Sequence, residues 1–182
     1  PDNLSDIQIG KHYQFVQGDI GDKKELETAF FRFQPDYVIN FAAETHVDKS
    51  IHDSSEEFLK TNVWGVFNLL ELVKKRPVQM YVQVSTDEVY GSLSLTAPDR
   101  FTEAAPFAPN VPYAATKASG DLLCRAYYST WKLPVIVTHC SNNYGPYQYP
   151  EKLIPYFALR CLQNKTLPLY GDGKNVRDWV YV

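Results

Sequence analysis

The chain has 182 residues, 45% of them hydrophobic, with 18 basic and 21 acidic side chains for a net charge of -3. That balance leaves no basic footprint for nucleic acid, and the length suits one well-packed core better than two. No run reaches the roughly 18 apolar residues of a membrane span, and Pro1-Asp2-Asn3-Leu4-Ser5 lacks a secretion signal's charged-then-apolar pattern, so a cytoplasmic protein is expected.

Residues 12–16 form a short strand-like run ending at Gly18-Asp19-Ile20. Asp22-Lys23-Lys24-Glu25 then has capping-box spacing, and Leu26, Ala29, Phe30 and Phe33 recur every three or four residues, which predicts a helix over Lys23–Phe33 stopped by Pro35. Residues 37–43, YVINFAA, are mostly apolar without alternation, the pattern of a parallel strand covered on both faces.

Ser54-Ser55-Glu56-Glu57 offers a second cap. Phe58, Leu59, Val63, Val66, Phe67, Leu70 and Val73 mark a long amphipathic helix, 56–75, with a basic carboxyl end before Pro77. Strands are expected at 80–85, Val135–Cys140 and 167–170, and helices at 113–131 and Leu153–Leu162. Strand and helix thus alternate throughout, which calls for a doubly wound parallel α/β sheet whose ligands lie beyond the carboxyl ends of the strands. Cys124, Cys140 and Cys161 are odd in number and widely spaced, with no CxxC pair or clustered His. Reduced buried thiols are expected, and no metal site. Thirteen Tyr contribute to a 14% aromatic content that core and interface packing explains.

The strongest local signal for chemistry is Tyr113-Ala114-Ala115-Thr116-Lys117. A Tyr and a Lys four apart share one helix face, and an ammonium beside a phenol favours phenolate, so Tyr113 is expected below its ordinary pKa of about 10. Alone the pair reads as two neighbours that any aromatic-rich helix can produce. Upstream, Val84-Ser85-Thr86-Asp87-Glu88-Val89-Tyr90-Gly91 sets a hydroxyl and two carboxyls at a strand's carboxyl end.

STDEVYG followed by YxxxK resembles the nucleotide-sugar 4,6-dehydratases of the extended short-chain dehydrogenase/reductase superfamily, over about residues 18–182. The resemblance implies a Rossmann-type fold, bound NAD, a nucleotide-diphosphate-sugar substrate and a homodimer built on the two long helices. It assigns catalysis to Thr86, Asp87, Glu88, Tyr113 and Lys117. Tyr113 would take the proton of the sugar 4-hydroxyl, with Thr86 hydrogen-bonding there and Lys117 holding the cofactor ribose. Glu88 would take the C5 proton while Asp87 protonates the departing 6-hydroxyl, which needs the two carboxyls in opposite protonation states.

The same resemblance carries to other segments. Asp19 and Ile20 would contact adenine, although Gly18-Asp19-Ile20 is equally a turn before a helix. Phe41, Ala42, Ala43 and Glu44 would approach the cofactor, as would Thr61 and Asn143, and Thr45 would reach the substrate. Thr61 and Asn62 equally read as polar groups satisfied inside a buried helix. Asn142, Lys152, Leu153, Pro168, Leu169, Tyr170 and Arg177 would hold the nucleotide sugar, with the cations suiting its diphosphate. The ending, 176–182, is most similar to members acting on dTDP-glucose, and UDP-glucose members carry similar strings.

No GxGxxG or GxxGxxG occurs in the chain, although the family places such a turn in its first strand-helix unit. The reading is therefore a Rossmann-type piece of a protein roughly twice as long: a cofactor-binding domain with the catalytic residues over 1–145, and the start of a nucleotide-sugar region over 146–182. Alternatives are a dehydratase or C4-epimerase for a UDP-, CDP- or GDP-sugar, and a non-catalytic sugar-nucleotide module. The Asp87-Glu88 pair argues against epimerisation.

Overall fold

The computed structural model describes Leu4, Ile7, 13–96 and 100–182. It contains two compact units, one spanning Val16–Cys140 and one built on Ser141–Val182. His12 and most of the Pro1–Ser5 stretch lie outside the described residues.

The larger unit opens with helix α1, Lys23–Phe33, started by Asp22, whose carboxylate accepts from the Lys24 and Glu25 amides. The reciprocal half of a capping box does not form. Glu25 Oε2 instead accepts from the Asp19 amide at 3.2 Å, and the Asp22 amide bonds the Asp19 carbonyl. Gln34, with φ of 46°, closes the helix just ahead of Pro35.

Strand β1, Tyr37–Asn40, is shorter than the expected 37–43. Asn40 Oδ1 accepts from the Ala42 amide at 3.1 Å, a local bond that turns the chain out of the strand. Helix α2, Val47–His52, follows, and its six residues are too few for a period to show in sequence. The long helix is expected as one element and is three: α3, Glu56–Leu59, a π-helical stretch Lys60–Gly65, and α4, Val66–Lys75. Strand β2, Met80–Thr86, leads into a 3₁₀ turn, Asp87–Tyr90. Helix α5, Pro112–Trp131, and strand β3, Val135–Cys140, complete the unit.

The three strands form a parallel sheet in the order β1-β2-β3. Its register places Val38, Tyr81 and Val135 in one row and Asn40, Gln83 and Val137 in the next. On this face Phe30 of α1, the α4 stripe of Val66, Leu69, Leu70 and Val73, and Cys124 and Tyr127 of α5 form the core. Each buried Leu or Val contributes roughly 1.5–3 kcal/mol relative to exposure.

The opposite face differs from expectation, for Tyr37 is 62% and Ile39 57% exposed, so β1 is covered on one face only. Residues 13–16 of the expected run are likewise no strand, since among the described residues no strand pairs with them. The thiols differ too: Cys124 is buried, Cys140 partly buried and Cys161 exposed, all three free. Among the described residues no helix is long and apolar enough to cross a membrane.

In the second unit, strand β4, Asn142–Tyr144, pairs in parallel with strand β5, Trp179–Tyr181, and helix α6 spans Leu153–Leu162. The strand expected at 167–170 does not form. Pro168 has no amide for a ladder, and the Tyr170 carbonyl accepts from the Gly173 amide in a turn.

Gly120 in α5 marks the closest approach of two helical segments, since a Cβ there would lie 2.8 Å from the Asn62 carbonyl of the π stretch. Gly120→Ala would gain roughly 1 kcal/mol of helix propensity, whereas overpacking against backbone costs about 1–3 kcal/mol. Urea unfolding should show net destabilisation, and a more stable variant would mean that the two segments part freely.

Candidate functional site

The carboxyl ends of β1 and β2 bring together the loop 41–46, the 3₁₀ turn and the first turns of α5. Each is fixed by buried polar groups. Asn62 is buried in the π stretch and clamps Glu44, its Oδ1 accepting from the Glu44 amide and its Nδ2 donating to the Glu44 carbonyl, both at 3.0 Å. The same Nδ2 donates to Thr116 Oγ1 at 3.0 Å, and that hydroxyl donates to the Tyr113 carbonyl at 2.7 Å. One side chain thus joins the loop after β1 to the helix that bears Tyr113 and Lys117. Ser50 of α2, which carries no local signal, accepts from the Tyr113 amide at 3.3 Å and so meets one of the bare donors at the start of α5.

Thr86 ends β2 and caps the turn, its hydroxyl accepting from the Glu88 amide at 3.3 Å and donating to Asp87 Oδ1 at 3.4 Å. The turn closes at Gly91, with φ of 90°, where a Cβ would collide with the Ala108 carbonyl. Tyr113 is 8% exposed. Burial pushes its hydroxyl up to about 12, the Glu88 charge adds to this, a hydrogen bond with Thr86 pulls it partly back, and Asp87 and Asp121 raise it again. Thr86, Asp87, Glu88 and Tyr113 therefore share one site.

The expected lowering of Tyr113 by Lys117 is overturned. The Lys117 ammonium donates to the Val84 carbonyl at 2.7 Å rather than to the phenol. Burial lowers the Lys117 pKa, and Asp121 works against that. A shared helix face brings two stems together and leaves each head to the strongest partner in reach. Here a strand carbonyl takes the ammonium, and the phenol sits among carboxylates.

At the start of the π stretch, Asp19 Oδ1 accepts from the Gly21 amide at 2.7 Å and Oδ2 pairs with Lys60 at 2.8 Å. The Lys60 ammonium and then the Gly21 amide hold this carboxyl below its usual range. Gly18-Asp19-Ile20 is thus a turn before a helix, with Ile20 under Gly65, where a Cβ would meet Ile20 Cγ1 at 2.5 Å. Phe41, Ala42, Glu44 and Thr45 are exposed along the loop, and Ala43 and Thr61 are half-buried.

The second unit holds the other sequence candidates. Asn142 and Asn143 lie in β4, where the Asn143 amide group donates to the Ser141 carbonyl. Lys152 precedes α6, pairs with Glu151 at 3.3 Å, and is followed by Leu153 as the first helical residue. Pro168, Leu169 and Tyr170 lie ahead of a turn, and Arg177 is exposed, donating to the Val176 carbonyl. Ser50, Asp121 and His139 carry no motif in the sequence, and Ser85 stands in the STDEVYG string with no role of its own there.

The raised Tyr113 pKa has a consequence for stability. A folded pKa near 12 against an unfolded value near 10 means a contribution fully present below pH 10 and lost as the pH rises toward 12. Tyr113→Phe has no proton to lose, so its unfolding free energy should decline less over that window, by roughly 2–3 kcal/mol. Urea midpoints of both proteins across the window test this, and parallel declines would show an ordinary phenol.

The family model described as GDP-mannose 4,6 dehydratase matches residues 2–182. The dTDP-glucose 4,6-dehydratase of Neisseria meningitidis is 50% identical over 100% of this chain and 53% of its own length. Among solved structures, the dTDP-glucose 4,6-dehydratase of Bacillus anthracis in complex with NAD is 53% identical with a TM-score of 0.86, over 99% of this chain and 54% of that one. The enzyme DesIV of Streptomyces venezuelae, solved with NAD and a second ligand, is 47% identical with a TM-score of 0.90, over 99% and 54%. The chain spans about half the length of the relatives it matches. With the match running from residue 2 to residue 182, over a parallel Rossmann-type sheet, the chain belongs to the GDP-mannose 4,6 dehydratase family.

Proposed function

We propose that this chain carries the reacting groups of an NAD-dependent nucleotide-sugar 4,6-dehydratase that converts dTDP-glucose to dTDP-4-keto-6-deoxyglucose and water. The observation that carries the reading is the meeting of Thr86, Asp87 and Glu88 with the buried Tyr113 hydroxyl at the carboxyl end of β2. A phenol and two carboxyls in one site match a proton abstraction at O4 followed by elimination across C5 and C6.

The residues present fit the nicotinamide and ribose parts of a dinucleotide, while the Gly-rich turn that would take its pyrophosphate does not occur in this chain. Ala42 and Ala43 leave backbone approachable in a loop that Asn62 holds, and Val84 takes one of the three hydrogens of the buried Lys117 ammonium, leaving donors that suit ribose hydroxyls. Asp19 and Ile20 would face adenine, Phe41, Glu44, Thr61 and Asn143 would complete the contacts, and Tyr113 would lie beside the nicotinamide. Bound NAD+ supplies the acceptor for the C4 hydrogen and a positive charge next to the phenol.

Within that assignment, Thr86 orients the sugar 4-hydroxyl, and Tyr113, after losing its own proton to solvent with the positive nicotinamide beside it, receives the 4-hydroxyl proton as phenolate. The ketone formed at C4 acidifies C5, Glu88 takes the C5 proton, and Asp87 gives a proton to the leaving 6-hydroxyl. The hydride taken from C4 would return to C6 and a proton from Glu88 to C5, so loss of water is the net change and the cofactor ends as it began. We assign Thr45, Asn142, Lys152, Leu153, Pro168, Leu169, Tyr170 and Arg177 to the nucleotide sugar on the family resemblance. A homodimer through α3–α4 and α5 is supported by the exposed Leu59, Trp64, Leu122 and Tyr128 on those helices.

Two substitutions in the protein as it occurs naturally separate the half-reactions. Tyr113→Phe should suppress both reduced nicotinamide and exchange of the C5 hydrogen with solvent, by about 10²–10⁴-fold. Glu88→Gln should let reduced nicotinamide form while C5 exchange and product fall by a similar factor. Stopped-flow absorbance and deuterium incorporation read the two steps. Near-normal exchange and product in Glu88→Gln would remove Glu88 as the base and leave the dehydratase reading without its chemistry.

A further inference from the structure

The reactive segment Thr86-Asp87-Glu88 is bracketed by Ser85 and Tyr90, and both brackets lead to one carboxylate. Ser85 Oγ donates to Asp121 Oδ2 at 2.6 Å. His139 Nε2 lies 3.1 Å from the same oxygen, and the Tyr90 hydroxyl lies 2.8 Å from His139 Nδ1. An ionised carboxyl only accepts, so Nε2 turns a hydrogen toward Asp121, and Nδ1 and the Tyr90 hydroxyl share the second hydrogen bond. Asp121 is 2% exposed at its side chain, and its Oδ1 has no hydrogen-bond partner among the described residues. The Tyr90 ring is stacked on Phe101 at 5.3 Å and meets Phe107 edge-on at 5.6 Å, so this bracket has little room to move.

Asp121 also stands one turn beyond Lys117 on α5. The helix therefore grips the end of β2 at two consecutive residues, Val84 through the Lys117 ammonium and Ser85 through Asp121. We propose that Asp121 is a positioning residue: the carboxylate shared by Ser85 and His139 holds both ends of the Thr86–Glu88 segment against the helix that bears Tyr113 and Lys117. The Asp121 side chain is buried, and its Oδ2 bonds Ser85 and His139. It acts through where it holds Thr86 and Glu88, and a displacement of about 1 Å in such groups costs on the order of 100-fold in rate. The inference rests on the dehydratase reading for its kinetic consequence.

The test uses the naturally occurring protein with NAD+ and dTDP-glucose, in wild type and in Asp121→Leu, Ser85→Ala and Tyr90→Phe. The two milder variants each cut one arm and keep the question answerable if Asp121→Leu does not fold. Asp121→Leu should lower kcat about 100-fold and each milder variant about 3–10-fold, with KM for dTDP-glucose within about twofold. In the Asp121→Leu background the other two changes should add little, because all three break one network. Hydrogen exchange, which needs no substrate, should speed up in peptides covering residues 85–91 and stay unchanged in α4.

Milder variants with kcat within twofold of wild type overturn the proposal, as does a kcat loss matched by an equal rise in KM and by faster exchange throughout. If the wild type itself does not turn over dTDP-glucose, the reading of function falls. The exchange measurement then decides by itself whether Asp121 holds the segment.

Discussion

Buried polar groups must be hydrogen-bonded, and in this chain the requirement falls on the inner face of β2. That face alternates Tyr81, Gln83 and Ser85, all buried under helices, and each has its partner. Gln83 Oε1 accepts from both Asn40 Nδ2 and the Tyr81 hydroxyl, tying β2 to β1 within the sheet. Ser85 is answered from above by Asp121. An apolar β2 would pack as well and would leave α5 free to slide. Polar partners at set positions fix one register between helix and strand, and the register decides that Tyr113 stands over Thr86 and Glu88.

The π-helical stretch serves the same end on the other side. Turns of this kind are rare and often occur where function needs a side chain re-aimed. Here the stretch contains the buried Asn62, whose amide reaches the loop after β1 and α5 together, with Gly65 and Gly120 admitting Ile20 and the Asn62 carbonyl at close range. Loop, turn and helix thus share supports that lie beneath the site.

Electrostatics sets the resting state of the site. Burial and the carboxyls of Glu88, Asp87 and Asp121 keep Tyr113 a phenol, and the nearby lysine is engaged by a strand carbonyl. A phenol so placed keeps its proton well past neutral pH.

Much of the fold could be read from one sequence because its causes are local. Asp22 before an apolar period and Pro35 after it bound α1, and continuous β-branched runs mark β3. Elements of three to six residues, such as β5 and α2, carry too little period to declare themselves, and Pro168 made an apolar run at 167–170 useless as a strand. The motif residues of β2 and α5 were legible as types at a spacing, since a hydroxyl beside two carboxyls and a Tyr-Lys pair four apart can be recognised before their partners are known. What Tyr113 and Lys117 touch was decided by the tertiary structure, because burial and long-range charge set a pKa while i,i+4 spacing sets only a shared face. Asp121 and His139 became visible only there as well. They lie 18 residues apart on a helix and a strand, and only the packing of α5 on the sheet brings their side chains to 3.1 Å.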